Sequence, residues 1–134
     1  MGPKAIARAA QWADGVDGAF TLDGDHAAMA SAFSSVRDAW RDAGRAEPPH
    51  LSSSIWYALG PDADDRLRAY AYDYMKVFGD DIAKWSADNV ACTTPESLRT
   101  AIDNAREAGA DEYFLVPTTA DPAELDRTRD ALGI

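Results

Sequence analysis

Short strand-like runs alternate with stretches of helical periodicity, and this alternation limits the available folds more than any other feature. Val16 to Thr21, Leu51 to Leu59 and Glu112 to Val116 read as strands. Between the first two lies the clearest helix, Asp25 to Ala43. There Met29, Ala32, Phe33, Val36, Trp40 and Ala43 recur at three- and four-residue spacing, and Gly44 is a natural stop. Strands joined through helices pair in parallel, with right-handed crossovers. The order reads α-β-α-β-α-α-α-β-α. Two architectures satisfy it: a small open α/β sheet, or a slice of a (β/α)8 barrel. A complete barrel typically takes about 250 residues, and this chain has 134.

Local signals place the remaining elements. Pro3 to Ala13 reads as a helix with Pro3 at its first position and Ile6, Ala9, Ala10 and Ala13 on one face. Pro48 and Pro49 break the chain before the second strand, and Gly60-Pro61 ends that strand. Asp62, Asp64 and Asp65 crowd the first turn of the next helix, where the dipole favours acids. Leu67, Tyr70, Ala71, Tyr74 and Phe78 form its expected apolar stripe, and Gly79 separates it from a helix over Asp80 to Asn89. Thr94-Pro95-Glu96 is a cap-plus-proline start for a helix that Gly109 stops. Asp121-Pro122-Ala123-Glu124 resembles a capping box opening a closing helix to Leu132.

Charge and composition exclude several classes. Thirteen basic against 23 acidic residues give a net charge of −10. Long-range steering therefore opposes nucleic acid and anionic membranes, and a phosphate would have to be held by local geometry. No apolar run approaches the roughly 20 residues of a membrane span, and the start lacks a signal-peptide pattern, so the cytoplasm is the expected location. Cys92 is the single cysteine, which rules out an internal disulfide and a thiolate metal cluster; a buried hydrophobic role is expected. His26 and His50 have no partners at metal or triad spacing, so no metal is expected. Ser53 lacks a nucleophile-elbow context.

The candidate ligand residues lie at turns. Gly2, Pro3 and Lys4 open a helix, where free backbone N–H groups and the positive end of the dipole suit an anion. If the fold is barrel-like, the active face lies at the C-terminal ends of the strands. That puts Leu22 to Asp25, Gly60 to Asp62 and Pro117 to Asp121 there. Thr118 and Thr119 have hydroxyls that can donate to a ligand, although loop and cap chemistry is their ordinary role. Asp23 and Asp25 can form a carboxylate pair, or one of them can cap the following helix.

Beyond these patterns, the chain resembles the luciferase-like flavin-dependent monooxygenases. The resemblance runs in order from Gly2-Pro3-Lys4-Ala5 and Trp12-Ala13-Asp14-Gly15 through Asp42-Ala43-Gly44-Arg45 and Tyr57-Ala58-Leu59-Gly60-Pro61-Asp62-Ala63. It continues through Phe78-Gly79-Asp80, Thr94-Pro95-Glu96 and Glu107-Ala108-Gly109-Ala110-Asp111 to Val116-Pro117-Thr118-Thr119. It covers essentially the whole chain but only the C-terminal half of the family's barrel. It implies a partial (β/α)8 TIM barrel of about three parallel strands with flanking helices, in one domain spanning residues 1–134. It also implies flavin- or deazaflavin-dependent oxidation, with FMN or a deazaflavin as cofactor and its phosphate near Gly2 and Pro3. No catalytic residue is assigned. The alternative is a non-catalytic truncated relative that binds phosphate or serves as a protein-interaction module.

A three-stranded sheet leaves two edges for association. The expected state is therefore a homo-oligomer, at least a dimer, by light scattering at high concentration; a monomer there counts against association through the strand edges.

Overall fold

The computed structural model describes residues 2–134. Its elements follow the expected order: α1 (Pro3–Ala9), β1 (Gly15–Asp17), α2 (His26–Asp42), β2 (His50–Tyr57), α3 (Ala63–Met75), a 3-10 turn (Lys76–Phe78), α4 (Asp80–Asn89), α5 (Pro95–Ala108), β3 (Glu112–Pro117) and α6 (Ala123–Leu132). The strands form one parallel sheet in the order β1-β2-β3. Among the described residues, no helix is long and apolar enough to cross a membrane.

β2 sits in the middle, and the strand alternation gives it two different faces. Leu51 packs with Met29, Phe33, Val36 and Trp40 of α2 and with Ala105 of α5. Ile55 and Tyr57, on the same face, join Cys92, Leu98 and Ala101. Trp56 points the other way, into a cluster with Leu67 and Ala71 of α3 and Val90. The expectation that Trp56 and Tyr57 face opposite sides therefore holds. The helix layer of α2 and α5 covers one face of the sheet. On the opposite face Phe114 of β3 stays 44% exposed.

Three boundaries differ from the sequence reading, each for a local reason. The first helix stops at Ala9 instead of Ala13, because the next turns tighten into bonds from Gln11 to Arg8 and from Trp12 to Ala9. Arg45 donates to the carbonyls of Ala10 and Ala13 at 3.1 and 3.0 Å and holds that ending. The first strand covers Gly15–Asp17 and not Val16 to Thr21. Beyond Gly18 the chain leaves the ladder, and the Ala19 carbonyl takes its hydrogen bond from the buried Ser53 hydroxyl at 2.8 Å. The third helix ends at Met75 and tightens to a 3-10 turn, so Phe78 is 62% exposed; Tyr74, still within the helix, is 56% exposed. Neither belongs to a core stripe.

The expected capping box at Asp121–Glu124 also differs. The Asp121 carboxylate does accept from the Ala123 N–H, at 3.1 Å. Glu124 instead turns inward, where it is buried. It accepts from the Leu59 N–H and from Arg127, the latter at 2.8 Å. Thr128 in turn bridges the Glu124 carbonyl and the Tyr57 hydroxyl, each at 2.7 Å. This network fastens α6 to the end of β2. At the start of α5 the expected Thr94 cap is present: its hydroxyl accepts from the Ser97 N–H at 3.1 Å, and Ser97 returns the bond to the Thr94 N–H at 3.0 Å.

The loop from β1 to α2 is fixed by a close approach. Gly24 has φ +73°, and a Cβ there would lie 2.7 Å from the Ala101 Cβ. Asn104 of α5 donates to the Gly24 carbonyl at 2.9 Å. Gly24→Ala combines a left-handed backbone penalty with overpacking against α5, a cost of about 2–4 kcal/mol. Urea denaturation is expected to show that loss, whereas Gly44→Ala, with open space around its Cβ position, is expected to show only the backbone part.

Burial pushes the Cys92 thiol up to about 11, with a hydrogen bond from Ser97 partly offsetting it. The folded state thus holds the neutral thiol while the unfolded chain ionises from about pH 9. The unfolded state then binds fewer protons, so this contribution is complete below pH 9 and falls away as pH rises toward 11. Its ceiling is about 2–3 kcal/mol. Melting curves across pH 8–10.5 are expected to show Cys92→Ala with a flatter decline than the parent between pH 9 and 10, the tyrosines, which also titrate there, being common to both chains.

Candidate functional site

A groove opens at the C-terminal end of β1, between the following loop and helix α4. It encloses about 440 Å³. The loop side carries Phe20, Thr21, Leu22, Asp23 and Asp25, and the helix side carries Trp85, Ser86 and Asn89. The size lies within the usual range for small-molecule sites.

Each wall has a local cause. The loop wall exists because the β1 ladder ends at Asp17 and Ser53 and Asn104 tie down the following chain. The helix wall exists because α4 folds back on α3. Asp64 and Asp88 both reach Arg68, at 2.8 and 3.4 Å, and Arg68 also donates to the Ala87 carbonyl. Ala83, Ser86 and Val90 form the buried face of this second helix. Ser86 is fully buried, and its hydroxyl has no hydrogen-bond partner among the described residues; the Thr21 hydroxyl is in the same state. Burying an unpaired hydroxyl costs about 1–3 kcal/mol, and the Trp40 indole N–H and the Tyr113 hydroxyl are buried and unpaired in the same way among the described residues.

Beside the groove, Phe20 continues into an aromatic cluster. Its ring lies 4.8 Å from Trp56, which is 5.3 Å from Tyr70 and 5.0 Å from Tyr74. Tilted and edge-on geometries of this kind add modest stabilisation beyond area burial. Tyr70 and Tyr74 thus pack on the sheet face through Trp56, but Tyr74 keeps an exposed edge.

The sequence-derived candidates divide among different places. Asp23 lines the groove and accepts from the Asp25 N–H at 3.1 Å. Asp25 caps α2 through the Ala28 N–H at 2.7 Å. Both carboxylates serve the loop, so they do not form a free catalytic pair. Thr118 donates to the Tyr57 carbonyl from both its N–H and its hydroxyl, at 3.0 and 3.1 Å. Thr119 accepts from Arg66 and from the Asp121 N–H, at 3.3 and 3.2 Å. These threonines hold the loop after β3. Gly2, Pro3 and Lys4 open the seven-residue α1, whose first turn carries no acid. Pro3 lines a separate, wider concavity of about 810 Å³ between α1 and α2. That concavity reaches Ala43 and Arg45, toward the end of the sheet opposite the groove, and neither buried unpaired hydroxyl of the groove lies in it.

Ser53 serves the Ala19 carbonyl, as its lack of an elbow suggests. His50 is exposed between Asp111 and Glu112, at 3.9 and 3.6 Å. Thr21, Ser86, Phe20 and Trp85 were not singled out by the sequence reading. Ser86 did carry a signal: it stands in the buried register of Ala83 and Val90, where an apolar residue is the default.

No family model and no curated protein matches the sequence. Solved structures do. One is an F420-dependent secondary alcohol dehydrogenase in complex with an F420-acetone adduct: 21% identity, TM-score 0.67, covering 98% of this chain and 47% of that one. A second is the monooxygenase RslO1 from Streptomyces bottropensis: 21% identity, TM-score 0.56, covering 97% and 43%. A third is a coenzyme F420-dependent tetrahydromethanopterin reductase from Methanopyrus kandleri: 13% identity, TM-score 0.50, covering 98% and 47%. The chain thus spans about half the length of the structures it matches. With its three parallel strands, its outer helices and its groove at their C-terminal end, it has the fold of about half of each of these structures, a partial (β/α)8 barrel.

Proposed function

We propose that this chain is the C-terminal-half portion of a luciferase-like oxidoreductase, cytoplasmic and dependent on a deazaflavin, with FMN as the second cofactor choice. One observation carries the reading. Nearly the whole chain follows the fold of the F420-dependent alcohol dehydrogenase, with a groove at the strand end where such barrels place their chemistry.

The residues at α1 fit the phosphate that both cofactors carry. The Lys4 side chain is exposed, no carboxylate occupies the first turn, and Gly2 has open space around it. Gly2, Pro3 and Lys4 would hold that phosphate against the overall negative field, by backbone donors and one cation. When bound, the cofactor supplies the redox step. The chain's own work in that reading would be to hold the phosphate through Gly2, Pro3 and Lys4.

A second reading, a non-catalytic interaction module, is supported by a different observation. Val77, Phe78, Ile82 and Trp85 are exposed along the α3–α4 hairpin, and β1 and β3 each pair along one edge only among the described residues. In that reading the strand edges also carry homo-oligomer contacts.

A fluorescence titration of the purified chain with a deazaflavin, repeated with FMN, separates the two readings. Saturable binding at roughly micromolar Kd is expected, tighter for the deazaflavin and weakened about tenfold by Lys4→Glu. Absence of binding for both cofactors overturns the cofactor reading and leaves the interaction module.

A further inference from the structure

We propose that the α3–α4 hairpin is a self-association surface: two copies of this chain pack α4 against α4, antiparallel about a two-fold axis, through Ile82, Trp85 and the turn at Val77 and Phe78.

The open apolar area is the first argument. Val77, Phe78 and Trp85 are each more than half exposed, and Ile82 nearly half. Ile82 and Trp85 stand three residues apart on one side of α4, and Val77 and Phe78 lie in the 3-10 turn that leads straight into it. Together they leave roughly 500 Å² of surface open, at the upper end of what a monomer carries in one patch. A standard interface takes about 800 Å² from each partner, as an apolar centre of this kind inside a polar rim. Charge is the second argument, and it selects a second copy as the occupant. At 100° per residue, Asp81 and Lys84 fall on the side of α4 next to the Ile82–Trp85 stripe. Both are exposed, and neither makes an ion pair among the described residues. Their charged neighbours are already engaged: Asp73 holds Lys76, and Asp64 and Asp88 hold Arg68. A two-fold axis midway between Asp81 and Lys84 sets each Asp81 opposite Lys84 of the second copy. The same operation brings Ile82 level with Ile82 of the second copy and Trp85 toward its Phe78 turn. One short helix thus supplies both signs of unpaired charge and the apolar centre, and the contact closes on itself as a dimer. The net charge of −10 opposes association at long range, but it is screened beyond about 8 Å at physiological ionic strength, so the short-range contacts decide. The inference rests on the interaction-surface reading of the hairpin above and names its occupant; its test contains no cofactor.

Sedimentation equilibrium of the full chain at physiological ionic strength is expected to show a monomer–dimer equilibrium with a Kd of roughly 10 µM. Trp12 and Trp85 are exposed, whereas Trp40 and Trp56 are buried. In a Trp12→Phe chain, Trp85 therefore reports the surface, and its emission is expected to shift to the blue as dimer forms. Ile82→Asp is expected to weaken the dimer about 30-fold or more, with circular dichroism unchanged. Asp81→Lys and Lys84→Asp are each expected to weaken their own dimers about tenfold. An equal mixture of those two variants is expected to return to near the parent affinity, because each Lys then meets an Asp. A monomer at every concentration overturns the proposal. A dimer that Ile82→Asp leaves unchanged, or that forms with no shift in Trp85 emission, also overturns it and leaves the strand edges as the surface of association. A mixture no tighter than its components overturns the antiparallel pairing. If Ile82→Asp fails to fold, the charge-swapped pair, altered only at exposed positions, decides the matter alone. Loss of the dimer with intact deazaflavin binding rejects only this inference; the converse rejects only the cofactor reading.

Discussion

Strand β2 is the element on which the other parts depend, because it alone is hydrogen-bonded along both edges and packed on both faces. A parallel strand in that position must bury side chains in both directions. Its outer face takes Leu51, Ile55 and Tyr57 into the layer of α2 and α5, and its other face sets Trp56 beneath α3. The two ladders are unequal: β1 pairs over Gly15–Asp17, and β3 over Glu112–Pro117. The short ladder releases the chain after Gly18, so that the segment from Ala19 to Asp25 forms a wall instead of a strand. The serines of β2 make this possible. The Ser53 hydroxyl takes over the Ala19 carbonyl, so the backbone leaves the sheet without abandoning a buried acceptor.

The C-terminal end of the sheet is built from two kinds of fastening. Polar networks hold the ends of β2 and β3: Glu124 on the Leu59 N–H, Thr128 on Tyr57, and Thr118 on the Tyr57 carbonyl. Steric fit holds the loop after β1, where Gly24 presses on Ala101. Between these fixed parts the α3–α4 hairpin lays a second layer over the strand ends. The groove lies under that layer, and its chemistry differs from that of the rest of the surface. It joins an acidic, apolar lining to two buried hydroxyls, whereas the start of α1 offers a cation with no acid in its first turn.

Much of this architecture is legible from spacing. The register of Met29, Phe33, Val36 and Trp40 announces α2, and Thr94-Pro95 and Gly109 mark both ends of α5. What escapes the sequence is where a side chain is spent. Glu124 reads as a capping partner, yet its carboxylate does more in the interior, because the Leu59 N–H has no ladder partner there. Phe78 reads as core, but the helix tightens before it and turns it to solvent. Asp23 reads as a candidate for ligand chemistry, and the structure does set it in the groove with its carboxylate turned to the loop backbone. Ser86 passes as an ordinary helical serine until α4 folds against the β1–α2 loop.

The sequence by itself determined the alternation of elements, the parallel pairing that follows from it, the buried face of each long helix and the absence of an internal disulfide. These rest on periodicity, caps and composition, which are local. Only the tertiary structure decided where β1 ends, which acids are consumed in holding loops, and that Thr21 and Ser86, 65 positions apart, share one groove. Those outcomes depend on contacts between distant segments. A hydroxyl's partner is set by whatever the fold brings within about 3 Å of it, and no local pattern carries that information.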